Sequence, residues 1–408
     1  MTNWFTEARY GMFVHWGAYS AAGRGEWVYN RENIRTEEYT ARYVNHFKAE
    51  RYDPAKWANL AKQAGMKYMV LTTKHHDGFA LWDSACHKYN SVNYGPKRDL
   101  VRPYVDACRS AGLKVGLYLS GAEWTHPDYP DGHARDWPTA WRDYDSHKRF
   151  TDHIREQVRE LMTGYGQIDI LWWDGCLPKP FDFSGCNELA KQLQPQILIN
   201  ERNGSPCDFY CQEQSTKAKS GCWESCLTLN NNWGYHPNDH FWKRPQDVVR
   251  ALVAVAGSGG NLLLNVGPRA DGTVPEECES VLLSVGKWLS KRNSWLPNSE
   301  RSNFAWNNWG AVTVKGNFVY MHIFSPPAAE ATDTDGTCTI CWPDLSNSIK
   351  SVKLLSTGSD LCYKIDGDRL YVYRIPAELE EGICTTVVLE VDGVPQSRRR
   401  QETFWIPE

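Results

Sequence analysis

The stretch IDILWWDG (168–175) places four apolar residues in a row before a single aspartate and a glycine. Seven runs of this kind occur before residue 295, and polar residues gather at or just after their ends. Apolar runs without polar alternation are typical of strands that are buried on both faces, as in a parallel sheet covered by helices. The other six runs are GMFVHWG (11–17), YMVLTTKHHDG (68–78), KVGLYLSG (114–121), QILINER (196–202), DFYCQEQ (208–214) and NLLLNVG (261–267).

Amphipathic stretches between these runs predict helices. Three examples are PAKWANLAKQAG (54–65), VRPYVDACRSAG (101–112) and TDHIREQVRELMTGYG (151–166). Each ends in glycine, which is common at the C-terminal cap of a helix. Seven or so strand–helix units before residue 295 fit a (β/α)8-like barrel. A doubly wound sheet would instead need a Gly-rich phosphate turn after the first strand, and HWGAYSAAG (15–23) does not supply one.

The pattern changes after Pro297 to short runs in which apolar and polar residues alternate. Examples are AVTVKGNFVYMHIF (311–324), TCTICW (337–342), LYVYRI (370–375) and TTVVLEV (385–391). Period-two runs separated by turn residues predict antiparallel strands. We therefore expect a barrel over residues 1–297 and a C-terminal antiparallel β-sandwich over residues 298–408.

Composition excludes several classes of protein. The chain has 408 residues, 41% hydrophobic and 23% charged, with a net charge of −4. It is therefore globular, and it lacks the excess of Lys and Arg that nucleic-acid binding needs. No run approaches the roughly 18 apolar residues of a membrane span. The start, MTNWFTEARYGMF, has no apolar signal segment, so we expect a cytoplasmic protein, although a secreted one with its signal removed would also fit. The oligomeric state is left open.

The 13 cysteines suggest buried thiols rather than a metal site. The spacings that deserve testing as metal or redox motifs are Cys207/Cys211, Cys222/Cys226 and Cys338/Cys341. The residues between them are bulky and lack the glycine turns of zinc knuckles. We expect no bound zinc at these pairs, and no cofactor.

Polar side chains follow the apolar runs at the points where the strands should end. They are His15, Lys74, His75, His76, Asp77, Ser120, Asp174, Asn200, Arg202, Glu213 and Asn265. In a (β/α)8 barrel the active site lies at the carboxyl ends of the strands. We therefore expect these groups to meet in one site.

Asp174 is the strongest single candidate for a catalytic residue. It follows four apolar residues, and the two prolines of CLPKPFDFSG (176–185) argue against a helix that it could cap. Acid–base chemistry needs a second carboxylate. Glu213 is the best candidate, and the alternatives are Glu224, Glu26 and Glu123. Two carboxylates about 5–5.5 Å apart would suit double displacement at an acetal carbon.

The histidines and tryptophans point to a sugar. His75 and His76 with Asp77 could bind a metal, but a metal barrel usually carries H-x-H on its first strand, where this chain has only His15. Neutral imidazoles that hydrogen-bond to sugar hydroxyls explain the histidines without a metal. Among 19 tryptophans, four lie in the motifs at strand ends and are expected to face the sugar: Trp16, Trp27, Trp172 and Trp233.

These motifs carry a resemblance to a known family. ARYGMFVHWG, TTKHHDGFALWDS, GLYLS, LWWDG, NER, DFYCQEQ, WESCLTLNNNWGY and GGNLLLNVGPRADG occur in this order between residue 4 and about residue 290. In kind and order they are similar to the motifs of the α-L-fucosidases of glycoside hydrolase family 29. TTKHHDGF and GGNLLLNVGP are long enough to be highly specific.

The resemblance implies a retaining exo-glycosidase that removes α-linked L-fucose from glycans or glycosides through a covalent fucosyl-enzyme. It implies Asp174 as nucleophile and Glu213 as acid/base, with Cys211 where many family members carry threonine and with Glu224 as the alternative. The implied sugar-binding residues are His15, Glu26, Trp27, His75, His76, Trp172, Arg202 and Trp233. The open alternatives are a retaining glycosidase of another sugar, such as an α-galactoside, a metal-dependent hydrolase, and a catalytically silent fucose-binding barrel.

Overall fold

The structure is a computed structural model that describes residues 3–130, 140–175, 183–305, 307–327 and 335–398. The chain forms two compact units. The first contains residues 10–243 and 262–283, and the second contains residues 4–9, 244–261 and 284 onward. The sequence predicts a domain boundary between residues 297 and 298, and this boundary stays a prediction.

Eight strands of the first part of the chain form one parallel sheet. In order along the sheet they run β5-β4-β3-β2-β1-β8-β7-β6. A parallel bridge between Asn200 and Phe209 joins the two ends of this order, so the sheet closes on itself as a barrel. The strands are β1 (Tyr10–Val14), β2 (Tyr68–Lys74), β3 (Lys114–Ser120), β4 (Ile170–Asp174), β5 (Leu198–Ile199), β6 (Tyr210–Glu213), β7 (Trp223–Thr228) and β8 (Asn261–Val266).

The barrel confirms the fold predicted from the sequence and adds one strand to it. The seven apolar runs contain β1 to β6 and β8. The eighth strand, β7, was missed because its sequence WESCLT mixes polar and apolar residues. All six residues of β7 are nevertheless buried, Glu224 among them.

Helices follow most of the barrel strands. They are α1 (Asn3–Ala8), α2 (Val28–Arg31), α3 (Thr36–Arg42), α4 (Pro54–Gln63), α5 (Val101–Ala111), α6 (Tyr144–Gly164), α7 (Ser184–Leu193), α8 (Pro245–Gly257) and α9 (Glu276–Ser290). The three predicted helical stretches correspond to α4, α5 and α6. Asp53 caps the start of α4 through its side chain, and Gly112 ends α5 with φ of +74°. The glycine at the end of α5 is the stop signal expected from the sequence, and the structure adds Asp53 as the start signal of α4.

The C-terminal part contains two antiparallel sheets. A four-stranded sheet in the order β12-β15-β10-β9 and a three-stranded sheet in the order β11-β14-β13 share one apolar core, to which Met321 and Leu389 contribute from the first and Trp342 and Val372 from the second. This arrangement confirms the predicted β-sandwich. The strands are β9 (Gly310–Lys315), β10 (Phe318–Ile323), β11 (Thr337–Trp342), β12 (Ile349–Leu354), β13 (Tyr363–Asp366), β14 (Arg369–Pro376) and β15 (Thr385–Val391).

Two further findings concern the described ranges as a whole. None of their helices is both long enough and apolar enough to cross a membrane. No disulfide joins any of the cysteines that these ranges contain.

Candidate active site

The carboxyl ends of the barrel strands surround a cavity of about 320 Å³. The cavity contains all ten residues that the sequence places in the catalytic and sugar-binding site. Its lining consists of Phe13, His15, Glu26, Trp27, His75, His76, Trp172, Asp174, Gly175, Arg202, Glu213, Cys226 and Trp233. The convergence follows from the fold, since the carboxyl ends of parallel strands meet at one end of a barrel.

Asp174 ends β4 with both carboxylate oxygens engaged. Oδ2 accepts a hydrogen bond of 2.9 Å from Tyr118, and Oδ1 lies 3.0 Å from Nε of Arg202. Burial alone would raise the pKa of Asp174. The Arg202 guanidinium, then His76 and the hydrogen bonds from Gly175 and Tyr118, outweigh burial and hold that pKa below its ordinary value. Asp174 is therefore ionised at neutral pH.

Arg202 connects the two carboxylates expected to do the chemistry. Its Nε contacts Asp174, and a second guanidinium nitrogen lies 2.8 Å from Oε2 of Glu213. Asp174 ends β4, Arg202 follows β5 and Glu213 ends β6, so three neighbouring strand ends build the pair. The planar guanidinium has donors in a fixed geometry, so it sets the relative position of both carboxylates.

Glu213 and Glu26 occupy different environments in this cavity. The Glu213 side chain is 42% exposed, so it is open to solvent and to a leaving group. Glu26 is buried, and its Oε2 accepts a hydrogen bond of 2.8 Å from the backbone N–H of Gly234. Burial, and to a lesser degree the charges of Glu213 and Asp174, raise the pKa of Glu26 although the Gly234 hydrogen bond opposes this.

The other two candidate carboxylates lie outside the cavity. Glu224 is fully buried within β7, where its carboxyl oxygens accept hydrogen bonds from Tyr68 and from Nε1 of Trp172. Glu123 is also fully buried, and Nζ of Lys74 lies 2.5 Å from its Oε2. Neither side chain is open to a leaving group in this structure.

A chain of hydrogen bonds sets the tautomer of His15. The backbone carbonyl of Trp233 can only accept, so the amide nitrogen of Asn265 donates to it at 2.8 Å. The Asn265 oxygen therefore faces Nδ1 of His15 at 2.6 Å, and Nδ1 must carry the proton. Burial lowers the pKa of His15 to about 3, which keeps the ring neutral. Nε2 of His15 consequently carries a lone pair and acts as an acceptor.

A similar chain sets the tautomer of His76. The Ser120 hydroxyl donates to the carbonyl of Ala122 at 2.6 Å, so its oxygen accepts from Nδ1 of His76 at 2.7 Å. Burial lowers the pKa of His76 to about 4, and Arg202 adds to this effect while Asp174 opposes it. His76 is therefore neutral near pH 7 and has its lone pair on Nε2, 3.7 Å from Asp174.

His75 favours the opposite tautomer to that of His15 and His76. Its Nδ1 is buried without a hydrogen-bond partner among the described residues. Since a buried N–H without an acceptor is rarer than an underused acceptor, the proton is favoured on Nε2. Burial, followed by His76 and His15, lowers the pKa of His75 well below its ordinary value. The cavity thus contains two imidazole acceptors and one imidazole donor, a mixed set that suits hydroxyl groups.

Aromatic rings form much of the cavity wall. Trp172 stacks on Tyr118 with ring centroids 5.6 Å apart and planes at 15°. Trp233 lies beside His15 at 4.9 Å, and Trp27 packs edge to face against Trp124 at 4.9 Å. Apolar faces next to polar groups match the C–H faces and hydroxyls of a sugar ring.

Trp16 does not belong to this wall, contrary to the prediction. Its side chain is fully buried and packs against Phe47, Tyr52 and Trp57 at centroid distances of 4.6 to 5.1 Å. Successive residues of an extended chain point to opposite sides, so Trp16 faces away from the cavity that His15 enters.

Four positions at the site were not predicted from the sequence: Phe13, Gly175 and Cys226 in the lining and Tyr118 on Asp174. The period of two along a strand could have found two of these residues. Phe13 lies two positions before His15, and Tyr118 lies two positions before Ser120. Each therefore points to the same side as a residue that was predicted.

Among the described residues, two clusters bring possible metal ligands together. In the first, His75 and His76 lie near Asp174, with ligand atoms within 4.8 Å of one another. Asp77, the third member of the alternative metal set considered from the sequence, instead accepts hydrogen bonds from Tyr39 and from the backbone of Phe79. The alternative metal set of His75, His76 and Asp77 is therefore not assembled.

The second cluster contains His87, Glu123 and His153. The Lys74 ammonium lies 2.5 Å from the Glu123 carboxylate. That ammonium already supplies the positive charge that a cation would bring.

Comparisons with known proteins agree on one family. A family model described as alpha-L-fucosidase matches residues 1–294. An alpha-L-fucosidase of Branchiostoma floridae is 32% identical over 80% of this chain and 80% of its own length.

Solved structures are also similar to this chain in both fold and sequence, and two of them illustrate the likeness. Alpha-L-fucosidase isoenzyme 1 of Paenibacillus thiaminolyticus superposes with a TM-score of 0.84 at 36% identity, covering 95% of this chain and 98% of that chain. A family 29 enzyme of Bacteroides thetaiotaomicron, solved as a trapped covalent intermediate with 2-fluoro-fucosyl fluoride, has a TM-score of 0.83 and 27% identity, with 95% of each chain covered.

Proposed function

Because this chain belongs to the α-L-fucosidase family, glycoside hydrolase family 29, we propose that it removes terminal α-linked L-fucose from glycans or glycosides with net retention. The observation that carries the proposal is the bridge from Arg202 to Asp174 and Glu213 in one cavity. Two carboxylates joined through one guanidinium suit the short separation, about 5–5.5 Å, that retaining enzymes use. The covalent intermediate described for the Bacteroides relative supports the same course.

In the first step Asp174 attacks the anomeric carbon. Its depressed pKa keeps the carboxylate ionised, and Tyr118 and Arg202 hold its two oxygens. The bond between the anomeric carbon and the leaving oxygen breaks as the new bond to Asp174 forms. The product of this step is a fucosyl ester of Asp174.

Glu213 acts as general acid and then as general base. It protonates the departing oxygen in the first step and removes a proton from water in the second. The exposure of its side chain supports this role, because both the aglycone and water must reach the carboxyl group. Glu224 lacks that access, so we assign the acid/base role to Glu213.

Neutral imidazoles and aromatic faces would bind the sugar. His15 and His76 offer acceptors at Nε2 and His75 offers a donor. Together they can accept hydrogen bonds from some sugar hydroxyls and donate to others. Trp172 and Trp233 would pack against the C5 methyl group. A methyl contributes only about 1–3 kcal/mol of discrimination, so the polar contacts must select the configuration.

Azide rescue of Asp174→Gly tests the nucleophile. We expect this variant to lose hydrolysis of an aryl α-L-fucoside and to recover turnover with azide, releasing the β-fucosyl azide. Azide takes the face that Asp174 leaves, so the configuration inverts. The assay is chromatography and NMR of the azide product.

The matched control is Glu213→Ala, in which azide attacks the intact fucosyl-enzyme and should give the α-fucosyl azide. Undiminished hydrolysis by Asp174→Gly without azide would refute the assignment of the nucleophile. An aryl α-galactoside run in parallel tests the sugar, and faster turnover of the galactoside by the unaltered enzyme would overturn fucose as the substrate.

A further inference from the structure

Glu224 is a buried carboxyl group for which the reaction described above has no use. It is the second residue of β7, fully buried, and it is absent from the cavity lining among the described residues. Carboxyl groups are rarely buried so completely without a partner. The partners of its hydrogen bonds therefore indicate the role of this carboxyl group.

Two side chains from across the barrel donate to Glu224. The Tyr68 hydroxyl donates to Oε2, and Nε1 of Trp172 donates to Oε1 at 3.0 Å. The Tyr68 ring can reach across because Gly11 leaves the space open: a Cβ on Gly11 would come within 2.4 Å of that ring. The three strands β2, β4 and β7 thus meet at this one carboxyl group.

Trp172 is the member of this group that faces the cavity. Its ring stacks on Tyr118, and the Arg202 guanidinium carbon lies 5.4 Å from its centroid. Tyr118 and Arg202 are also the two side chains that hold the Asp174 oxygens. The position of the indole therefore affects both the floor of the cavity and the surroundings of Asp174.

We propose that Glu224 is a positioning residue which fixes the Trp172 indole as the floor of the fucose pocket by accepting its N–H. This inference rests on the proposed fucosidase function. Glu224 touches no reacting atom, so its removal should weaken binding of the sugar rather than abolish proton transfer. The indole N–H of Trp173, for example, finds its acceptor outside the cavity, whereas that of Trp172 ties the floor of the pocket to the barrel interior.

The hydrogen bond from the Trp172 indole to Glu224, called the anchor below, does not depend on a single protonation state of Glu224. Burial, assisted by the charge of Glu201, raises the pKa of Glu224 to about 7, and the hydrogen bonds from Tyr68 and Trp172 oppose the rise. The thiols of Cys211 and Cys226 also sense the charge of Glu224, and burial raises the pKa of both well above the ordinary value. An acid and a carboxylate both keep a lone pair for Nε1 of Trp172.

The test compares Glu224→Leu with Glu224→Gln on an aryl α-L-fucoside. Leucine removes the acceptor, and we expect KM to rise roughly tenfold while kcat stays within about threefold. Glutamine keeps an acceptor for the indole, so its KM should stay within about threefold of the unaltered enzyme. The dissociation constant of an L-fucose-configured iminocyclitol, followed by tryptophan fluorescence, should rise in parallel with KM.

Asn187→Ala provides a matched control. Asn187 accepts a hydrogen bond of 2.9 Å from the indole of Trp173, the next residue on β4, which lies outside the cavity. Loss of this bond should lower the melting temperature and leave KM unchanged. A drop in melting temperature shared by both variants, with KM raised in Glu224→Leu alone, separates positioning of the pocket from general stability.

Two results would overturn the inference. Unchanged KM and unchanged iminocyclitol binding in folded Glu224→Leu would show that the anchor has no effect on the pocket. A collapse of kcat that is far larger for poor than for good leaving groups would instead make Glu224 the acid/base. Absence of fucosidase activity in the unaltered enzyme would contradict the proposed function itself, and iminocyclitol binding would still report on the anchor.

Discussion

Arg202 contacts Asp174 and Glu213 and lies over the face of Trp172, so one side chain influences charge, geometry and the cavity floor together. Asp174 is buried enough that, without a counter-charge, its pKa would rise. Of the groups that lower this pKa, Arg202 has the largest effect. The ionised state of Asp174, the proposed nucleophile, therefore depends chiefly on this arginine.

Replacement of Arg202 by methionine should shift the acid limb of the pH profile upward. Asp174 must be ionised to attack, so activity falls as the pH drops through its pKa. Without the guanidinium that pKa rises, and we expect the acid limb of kcat/KM to move up by about 1–3 pH units. The measurement is kcat/KM between pH 3.5 and 7.

Arg202→Lys is the control for this experiment. It keeps a positive charge but loses the bidentate geometry, so activity should fall while the acid limb stays near its original position. An acid limb that does not move in Arg202→Met would show that Asp174 is not the group titrating there.

The identities of the site residues could be read from the sequence better than their supporting contacts. His15, Asp174 and Glu213 each follow an apolar run, and the end of a run marks the end of a strand. The role of Tyr118 could not be read in this way, because a tyrosine inside a strand is also a common core residue. Only the barrel geometry brings its hydroxyl to Asp174.

At the scale of elements, β8 connects β1 to the segment that carries Trp233. Asn265 of β8 donates to the Trp233 carbonyl and accepts from His15 of the neighbouring strand end. One amide therefore sets both the tautomer of a histidine and the position of a pocket wall. Replacing either the oxygen or the nitrogen of this amide would break one of these two hydrogen bonds.

Asn265→Asp should impair binding of the sugar. A carboxylate cannot donate to the Trp233 carbonyl, and its charge raises the pKa of His15 so that Nε2 becomes a donor. We expect KM for an aryl α-L-fucoside to rise roughly tenfold at pH 7, and NMR of the imidazole should detect protonation of His15 above pH 5.

Asn265→Ala removes both hydrogen bonds without adding a charge, so its His15 should remain neutral at pH 5. Unchanged KM in both variants would contradict the importance of this link between β1 and β8.

Strand prediction succeeded or failed according to what each strand buries. The strands β1, β2 and β4 carry long apolar runs because both of their faces are buried. The strand β7 was not predicted because Glu224 and Ser225 are buried polar residues inside it, and the partners of Glu224 come from distant parts of the chain. A single sequence does not reveal that Tyr68 and Trp172 will satisfy Glu224.

At the scale of the whole molecule, two observations support the proposed function. The strand ends of the barrel gather ten predicted residues in one cavity, and proteins similar over most of the chain are α-L-fucosidases. The C-terminal sheets were predictable from their alternation, but they carry none of the cavity residues among those described.

Mass spectrometry after treatment with 2-fluoro-fucosyl fluoride tests the central claim, which is that Asp174 forms a covalent bond to the sugar. The fluorine at C2 slows the second step, so the fucosyl-enzyme should accumulate and activity should be lost. We predict one 2-fluoro-fucosyl group per chain, on the proteolytic peptide that contains Asp174, and none in Asp174→Gly. A label on any other carboxylate, or full activity without a label, would contradict the account.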